Sequence, residues 1–172
     1  MLKVFKLLII ERLNMFSKLL SLSSIALILI SCNSDITNEQ IGLFVKTSGL
    51  KPTTINAYEN QTMKLNKNIN FGSELTIEIL GIDDFKKGDT GQVFIGGENT
   101  LIDKDEKVIY YIEDYFKKYD LTGVRPADAE KLKFNIRVGK PMVKGETYRF
   151  LFKLWDKKSD KELKGNIELI VI

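Results

Sequence analysis

Residues 145–156 read GETYRFLFKLWD. Within them Tyr148, Phe150, Phe152 and Leu154 alternate with Arg149, Leu151, Lys153 and Trp155. A period of two puts the first set on one face of a strand and the second on the other, so this segment predicts a strand with a buried aromatic face. The pattern recurs on both sides of it. Ile167, Leu169 and Val171 alternate with Glu168 and Ile170 after it. Before it, Leu132, Phe134, Ile136 and Val138 alternate with Lys133, Asn135 and Arg137, and Leu75, Ile77 and Ile79 with Thr76, Glu78 and Leu80.

Turn residues divide the rest into further short strands. Thr47-Ser48-Gly49 separates strands expected near 41–46 and 53–58. Gly96-Gly97 is expected to break the chain after a strand at 93–95. Asp103-Lys104-Asp105-Glu106 sits between strands near 99–102 and 107–112, as a hairpin turn does; Val143-Lys144-Gly145-Glu146 and residues 156–161 serve the last two strands. Only 113–119 and 126–131 have helical character, the second opening with Pro126 at a first-turn position. The expected fold class is therefore all-β, an antiparallel β-sandwich with one or two short helices.

Residues 145–152 with Trp155 and Asp156 also resemble the penultimate strand of immunoglobulin-like modules of bacterial surface proteins. Those modules carry Gly-x-x-Tyr, alternating apolar residues and then Asp before the last hairpin. The resemblance spans 145–172 and implies an immunoglobulin-like sandwich, with no particular activity. It implies that Tyr148 is structural, its ring buried and its hydroxyl bonded to backbone. The chain has one cysteine, so no internal disulfide supports the sandwich. A domain of ~140 residues can bury enough surface to hold by packing alone.

That cysteine has another use. Residues 19–30 read LLSLSSIALILI, an apolar run of twelve behind Lys18. A membrane-spanning helix needs ~20 apolar residues, whereas a signal-peptide core is about this short. The run ends in Leu29-Ile30-Ser31-Cys32, which resembles the lipobox of bacterial lipoproteins. The resemblance implies cleavage after the small Ser31 and acylation of Cys32, which anchors the protein to a membrane. The alternative is an uncut short membrane helix with an incidental cysteine. Residues 1–31 are thus expected to be a lipoprotein signal peptide, with Met15 favoured as the true start because residues 15–32 form a compact signal by themselves. Residues 32–40 are mostly polar and are expected to form a flexible tether, leaving 41–172 as the sandwich domain. Asn33 stands where many inner-membrane lipoproteins carry Asp, which implies outer-membrane sorting in a Gram-negative cell.

The formal charge of +3 comes from residues 1–31. The whole chain has 26 basic and 23 acidic residues, but four of the basic (Lys3, Lys6, Arg12, Lys18) and one of the acidic (Glu11) precede Ser31. The remainder has 22 of each, with no net basic field for nucleic acid. Histidine is absent, which removes the commonest general base and the commonest transition-metal ligand. No phosphate-binding glycine motif occurs, and neighbouring Asp83 and Asp84 point apart on an extended segment. The expectation is a non-enzyme without cofactor or metal. Asp103, Asp105 and Glu106 begin with calcium-loop spacing, but the glycine and the distant glutamate of such a loop are missing, so a solvated turn is the reading taken.

Two groups remain as candidate partner-binding residues. Four of six tyrosines, Tyr110, Tyr111, Tyr115 and Tyr119, fall with Phe116 in one stretch of ten residues. They are either a helix capping the sandwich with its aromatics inward, the reading taken, or a stacking platform for sugar or peptide. Trp155 and Leu151 face away from the expected core. Such an apolar face needs cover, either from residues 41–58, the reading taken, or from a partner. The candidates are Trp155, Leu151, Tyr111, Tyr115 and Tyr119. Function is expected to be that of a lipid-anchored, non-enzymatic binding or structural module at the cell envelope, its partner a protein or glycan. The alternatives are an envelope inhibitor of a hydrolase, with an exposed rigid loop, or a small-ligand carrier, with an internal cavity.

Overall fold

A computed structural model describes residues 33–172. The expected signal peptide, the Met15 start and Cys32 lie outside the described residues.

Among the described residues the chain is all-β, built of two sheets. The larger runs in the order β1 (Asn33–Asn38), β2 (Leu43–Ser48), β11 (Glu162–Val171), β10 (Thr147–Asp156), β7 (Ile95–Asp103) and β8 (Val108–Ile112), all antiparallel. The two-residue β5 (Asn68–Ile69) adds to it, pairing with the end of β11 in parallel. The smaller is antiparallel, in the order β4 (Thr62–Met63), β3 (Thr54–Glu59), β6 (Glu74–Leu80) and β9 (Lys131–Arg137).

The inward faces of both sheets form one core. Tyr148, Phe150, Phe152 and Leu154 of β10 meet Leu75, Ile77 and Ile79 of β6 and Leu132, Phe134 and Ile136 of β9, all buried. The β10 register is the one the alternation predicts, with Leu151, Lys153 and Trp155 half-buried on the far side. The Phe152 ring packs 6.4 Å from that of Phe150 on the same strand and 5.7 Å from that of Phe134 on the opposite sheet, centroid to centroid. Gly165, opposite Phe152 on β11, makes room for its ring: a Cβ there would lie 2.2 Å from Phe152 Cζ. The Tyr148 ring is buried, and its hydroxyl oxygen accepts the Val143 N–H at 2.9 Å, as the resemblance implies.

Several boundaries differ from expectation. The tether expected over 32–40 is in the structure an edge strand, because Asn33–Asn38 folds back on Leu43–Ser48 through a tight turn. Gly42, at φ +71°, closes that turn and donates to Glu39 O at 3.2 Å. The strand expected at 41–46 accordingly starts two residues later. A polar edge strand has no alternation to read, although its Ile36 packs against the core. Gly96 and Gly97 do not break a strand but lie inside β7, where two aromatic rings occupy the space that side chains would take. The helix expected at 113–119 shrinks to a 3-10 turn at Lys117–Tyr119, and that at 126–131 to the single turn α1 (Pro126–Ala129), since Lys131 already starts β9.

A buried carboxylate ties the small sheet together on its outer side. Glu78 accepts from Lys131 at 2.9 Å and Lys133 at 3.4 Å on β9, and from the Tyr58 hydroxyl at 3.4 Å on β3. The Lys131 hydrogen bond, against the opposing effect of burial, holds its carboxyl below the usual range.

Candidate functional site

The sequence candidates separate into three places. Trp155, Leu151 and Tyr111 share the outer face of the large sheet. Leu151 pairs with Thr100, and Thr100 with Tyr111, so the two side chains stand two strands apart, about 10 Å. Trp155 lies four residues further along β10, about 13 Å from Leu151. Phe44 on β2 extends the row through Asn166 and is 40% exposed; alternation with Leu43 and Val45 could have identified it.

Residues 41–58 do not cover this face. Leu43–Ser48 joins the same sheet as β10, and Thr54–Glu59 joins the opposite one. Trp155 is instead covered locally. Its indole lies over Gly96, where a Cβ would fall 1.9 Å from Trp155 Cε2, and Lys153 Nζ stands 5.3 Å from the ring centroid. Ion pairs fill the intervals between the apolar groups: Lys153–Glu162 at 3.2 Å, Lys164–Glu162 at 2.5 Å, Arg149–Glu106 at 2.8 Å and Lys67–Glu168 at 2.8 Å. Burial works to raise the Glu162 carboxyl, but hydrogen bonds from Lys164 and Lys153 outweigh it and hold the group low. The face is a mosaic, with Tyr111 at its rim more than half exposed. Partial burial and the nearby Glu98 and Glu113 push the Tyr111 phenol up.

Tyr115 is on neither a platform nor a helix. It stands between the sheets, where its hydroxyl accepts Asn99 Nδ2 at 2.7 Å and donates to Asn135 O at 3.1 Å. Its ring meets Phe134 edge-on at 5.6 Å. Phe116 beside it packs over Gly97. Burial first, then neighbouring Tyr110, raises the Tyr115 phenol. Of the aromatic stretch these two rings turn inward, while Tyr110, Tyr111 and Tyr119 stay exposed.

Tyr119 lines a third place, an open recess of about 630 Å³ with Phe116, Arg125, Asp128 and Leu132. Arg125 is committed to Asp128 through two bonds of 2.8 and 2.7 Å, which hold the Asp128 carboxyl low. Next to it Lys157 bridges Asp114, at 2.5 Å, and Asp120. The acidic turn at Asp103 serves the backbone: Asp103 Oδ1 accepts the N–H groups of Asp105 and Lys107, both at 2.9 Å, and Glu106 sits at φ +63°. That is a three-residue hairpin loop ending in a left-handed residue.

One feature had no clear sequence signal. Between the free edges of β8 and β9 runs a groove of about 320 Å³, lined by Leu101, Ile109, Tyr110, Ile136 and Met142. Arg137, Lys140 and Glu74 stand at its rim. A register shift between Leu101 and Ile102 turns Ile109 toward the core. The open side arises because residues 113–130, between β8 and β9, contain only a 3-10 turn and α1 and contribute no strand. No protein-family model and no curated protein matches the chain.

Proposed function

We propose that this chain is a bacterial lipoprotein, cut before Cys32, acylated there, and holding a non-enzymatic β-sandwich binding module at the cell envelope. The observation that carries the reading is the juxtaposition of Leu29-Ile30-Ser31-Cys32, containing the only cysteine, with a folded domain whose first strand starts at Asn33. A cysteine placed between an apolar run and a domain start is where lipid can be attached without disturbing a core. Several acyl chains, at ~0.8 kcal/mol per buried CH₂, anchor stably where one does not. Because β1 begins one residue after Cys32, the lipid joins the sheet almost without a tether, and the domain is held against the membrane rather than on a stalk.

The domain itself is read as immunoglobulin-like. Two features support this: β3-β6-β9 stands opposite β11-β10-β7-β8 with β5 running parallel to β11, and Tyr148 caps the start of its strand through the Val143 N–H. Such a module binds through its surfaces, and the half-covered mosaic around Trp155, Leu151 and Tyr111 and the open β8–β9 side are the surfaces available.

The test is metabolic labelling with a clickable fatty acid in a bacterial host, comparing the full chain with Cys32→Ala. The wild type takes label and partitions with membranes; the variant takes none and accumulates as the longer precursor. Equal labelling of the two rejects the assignment.

A further inference from the structure

The side of the domain opposite β1 is open in both sheets. Among the described residues no strand pairs the far edge of β8 or of β9. Tyr115 links the two sheets on this side, its hydroxyl reaching Asn99 of β7 on one and Asn135 O of β9 on the other. An unpaired edge offers a row of N–H and C=O groups to any extended chain, and proteins usually blunt it with charge or proline. β9 is blunted: it reads KLKFNIR, with Lys131, Lys133 and Arg137 exposed. β1 reads NSDITN and is polar. β8 reads VIYYI, with no charge or proline, and Val108, Tyr110 and Tyr111 are 56, 40 and 53% exposed. The groove of about 320 Å³ lies directly beside this edge, apolar at its floor, with Arg137 and Lys140 against Glu74 at its rim.

From the bare apolar edge, the adjoining groove and the cationic rim together, we infer that β8 accepts an extended segment of a partner protein as an added strand. The segment carries apolar residues at alternate positions, which enter the groove, and an acidic residue, which meets Arg137 and Lys140. Main-chain bonds supply affinity and the side-chain pockets supply selectivity. A second copy of this chain is the poorer occupant. Its β8 reads VIYYI and brings no acidic residue to Arg137 and Lys140. The inference deepens the binding-module reading and rests on it, not on the lipid.

The test uses full-length protein in detergent micelles and two fluorescent peptides, DVTVTVE and KVTVTVK. Binding is read by polarisation and by hydrogen exchange at residues 108–112. The acidic peptide should bind at least tenfold more tightly than the basic one and slow exchange in β8. Val108→Lys with Tyr111→Lys should abolish binding with the melting temperature unchanged within a few degrees. Arg137→Glu with Lys140→Glu, should the first pair unfold, should reverse the preference between the peptides. No binding to the wild type, binding without protection of 108–112, an unchanged preference in the reversed-charge variant, or a wild-type dimer that the lysine pair dissolves would each overturn the inference. Cys32→Ala should bind the acidic peptide as the wild type does, so a failed lipid assignment leaves this result standing.

Discussion

The indole of Trp155 lies on the bare Cα of Gly96 in the neighbouring strand, occupying the position where any other residue would place its Cβ. The pair explains how a tryptophan can sit on the outer face of a sheet without a covering layer: its own neighbour strand and Lys153 take up much of its surface. A glycine inside a strand ordinarily weakens it, and here the ring returns the lost packing.

Gly96→Ala should therefore expel the ring. Overpacking of this kind costs roughly 1–3 kcal/mol. Trp155 is the only tryptophan, so its emission reports the event directly. The variant should show red-shifted native fluorescence and a lower urea midpoint. An unchanged spectrum would mean that the ring does not lie on Gly96.

Phe152 and Lys153 are adjacent and should differ sharply. Phe152 is buried among Phe150, Phe134 and Gly165, and truncation to Ala should cost roughly 3–5 kcal/mol. Lys153 pairs with Glu162 and stacks near Trp155 at a half-exposed site, so Lys153→Ala should cost about 1 kcal/mol or less. Urea melts of the two variants measure both, and equal losses would contradict the register of β10.

Tyr148→Phe keeps the ring and removes the acceptor for the Val143 N–H. A loss of about 1 kcal/mol is expected, the net worth of one hydrogen bond. Exchange of the Val143 amide should rise in the variant, and an unaltered rate would show that the hydroxyl does not hold the turn.

Acid should weaken the region where Lys157 bridges Asp114 and Asp120. Burial alone would raise the Asp114 carboxyl, but the Lys157 contact and the N–H groups of Phe116 and Gly97 bring it below its ordinary value of 3.8. A carboxyl depressed on folding contributes stability above its unfolded pKa, and that stability is lost as pH falls through the folded one. Melting temperature should thus fall below about pH 4, and less steeply in Asp114→Asn. Equal acid slopes in the two proteins would remove Asp114 from the account. Lys157 has the opposite sign. Burial would lower it, but hydrogen bonds to Asp114 and Asp120 raise it above 10.5, so its contribution is complete below that value and lost above it.

What the sequence disclosed follows from where physics leaves a pattern. β10 and β9, each with one face in the core and one in water, alternate cleanly, and their register could be read residue by residue. β1 could not, because a polar edge strand obeys no burial pattern and forms only when Gly42 returns the chain to β2. Gly96-Gly97 suggested a break because composition does not reveal that rings from residues 155 and 116, far along the chain, fill the space. The aromatic stretch was legible as a cluster but not as two groups, since the split between Tyr115 inward and Tyr111 outward depends on the β7–β8 pairing and on the turn that follows. The β8–β9 groove joins residues more than twenty positions apart and left no local trace.

Cleavage and acylation at Cys32 are read together in the mass of the N-terminal peptide from protein extracted out of membranes. The peptide should begin at Cys32 and carry the mass of a diacylglyceryl group, with or without a further acyl chain. A peptide spanning Ser31 and an unmodified Cys32 would contradict both.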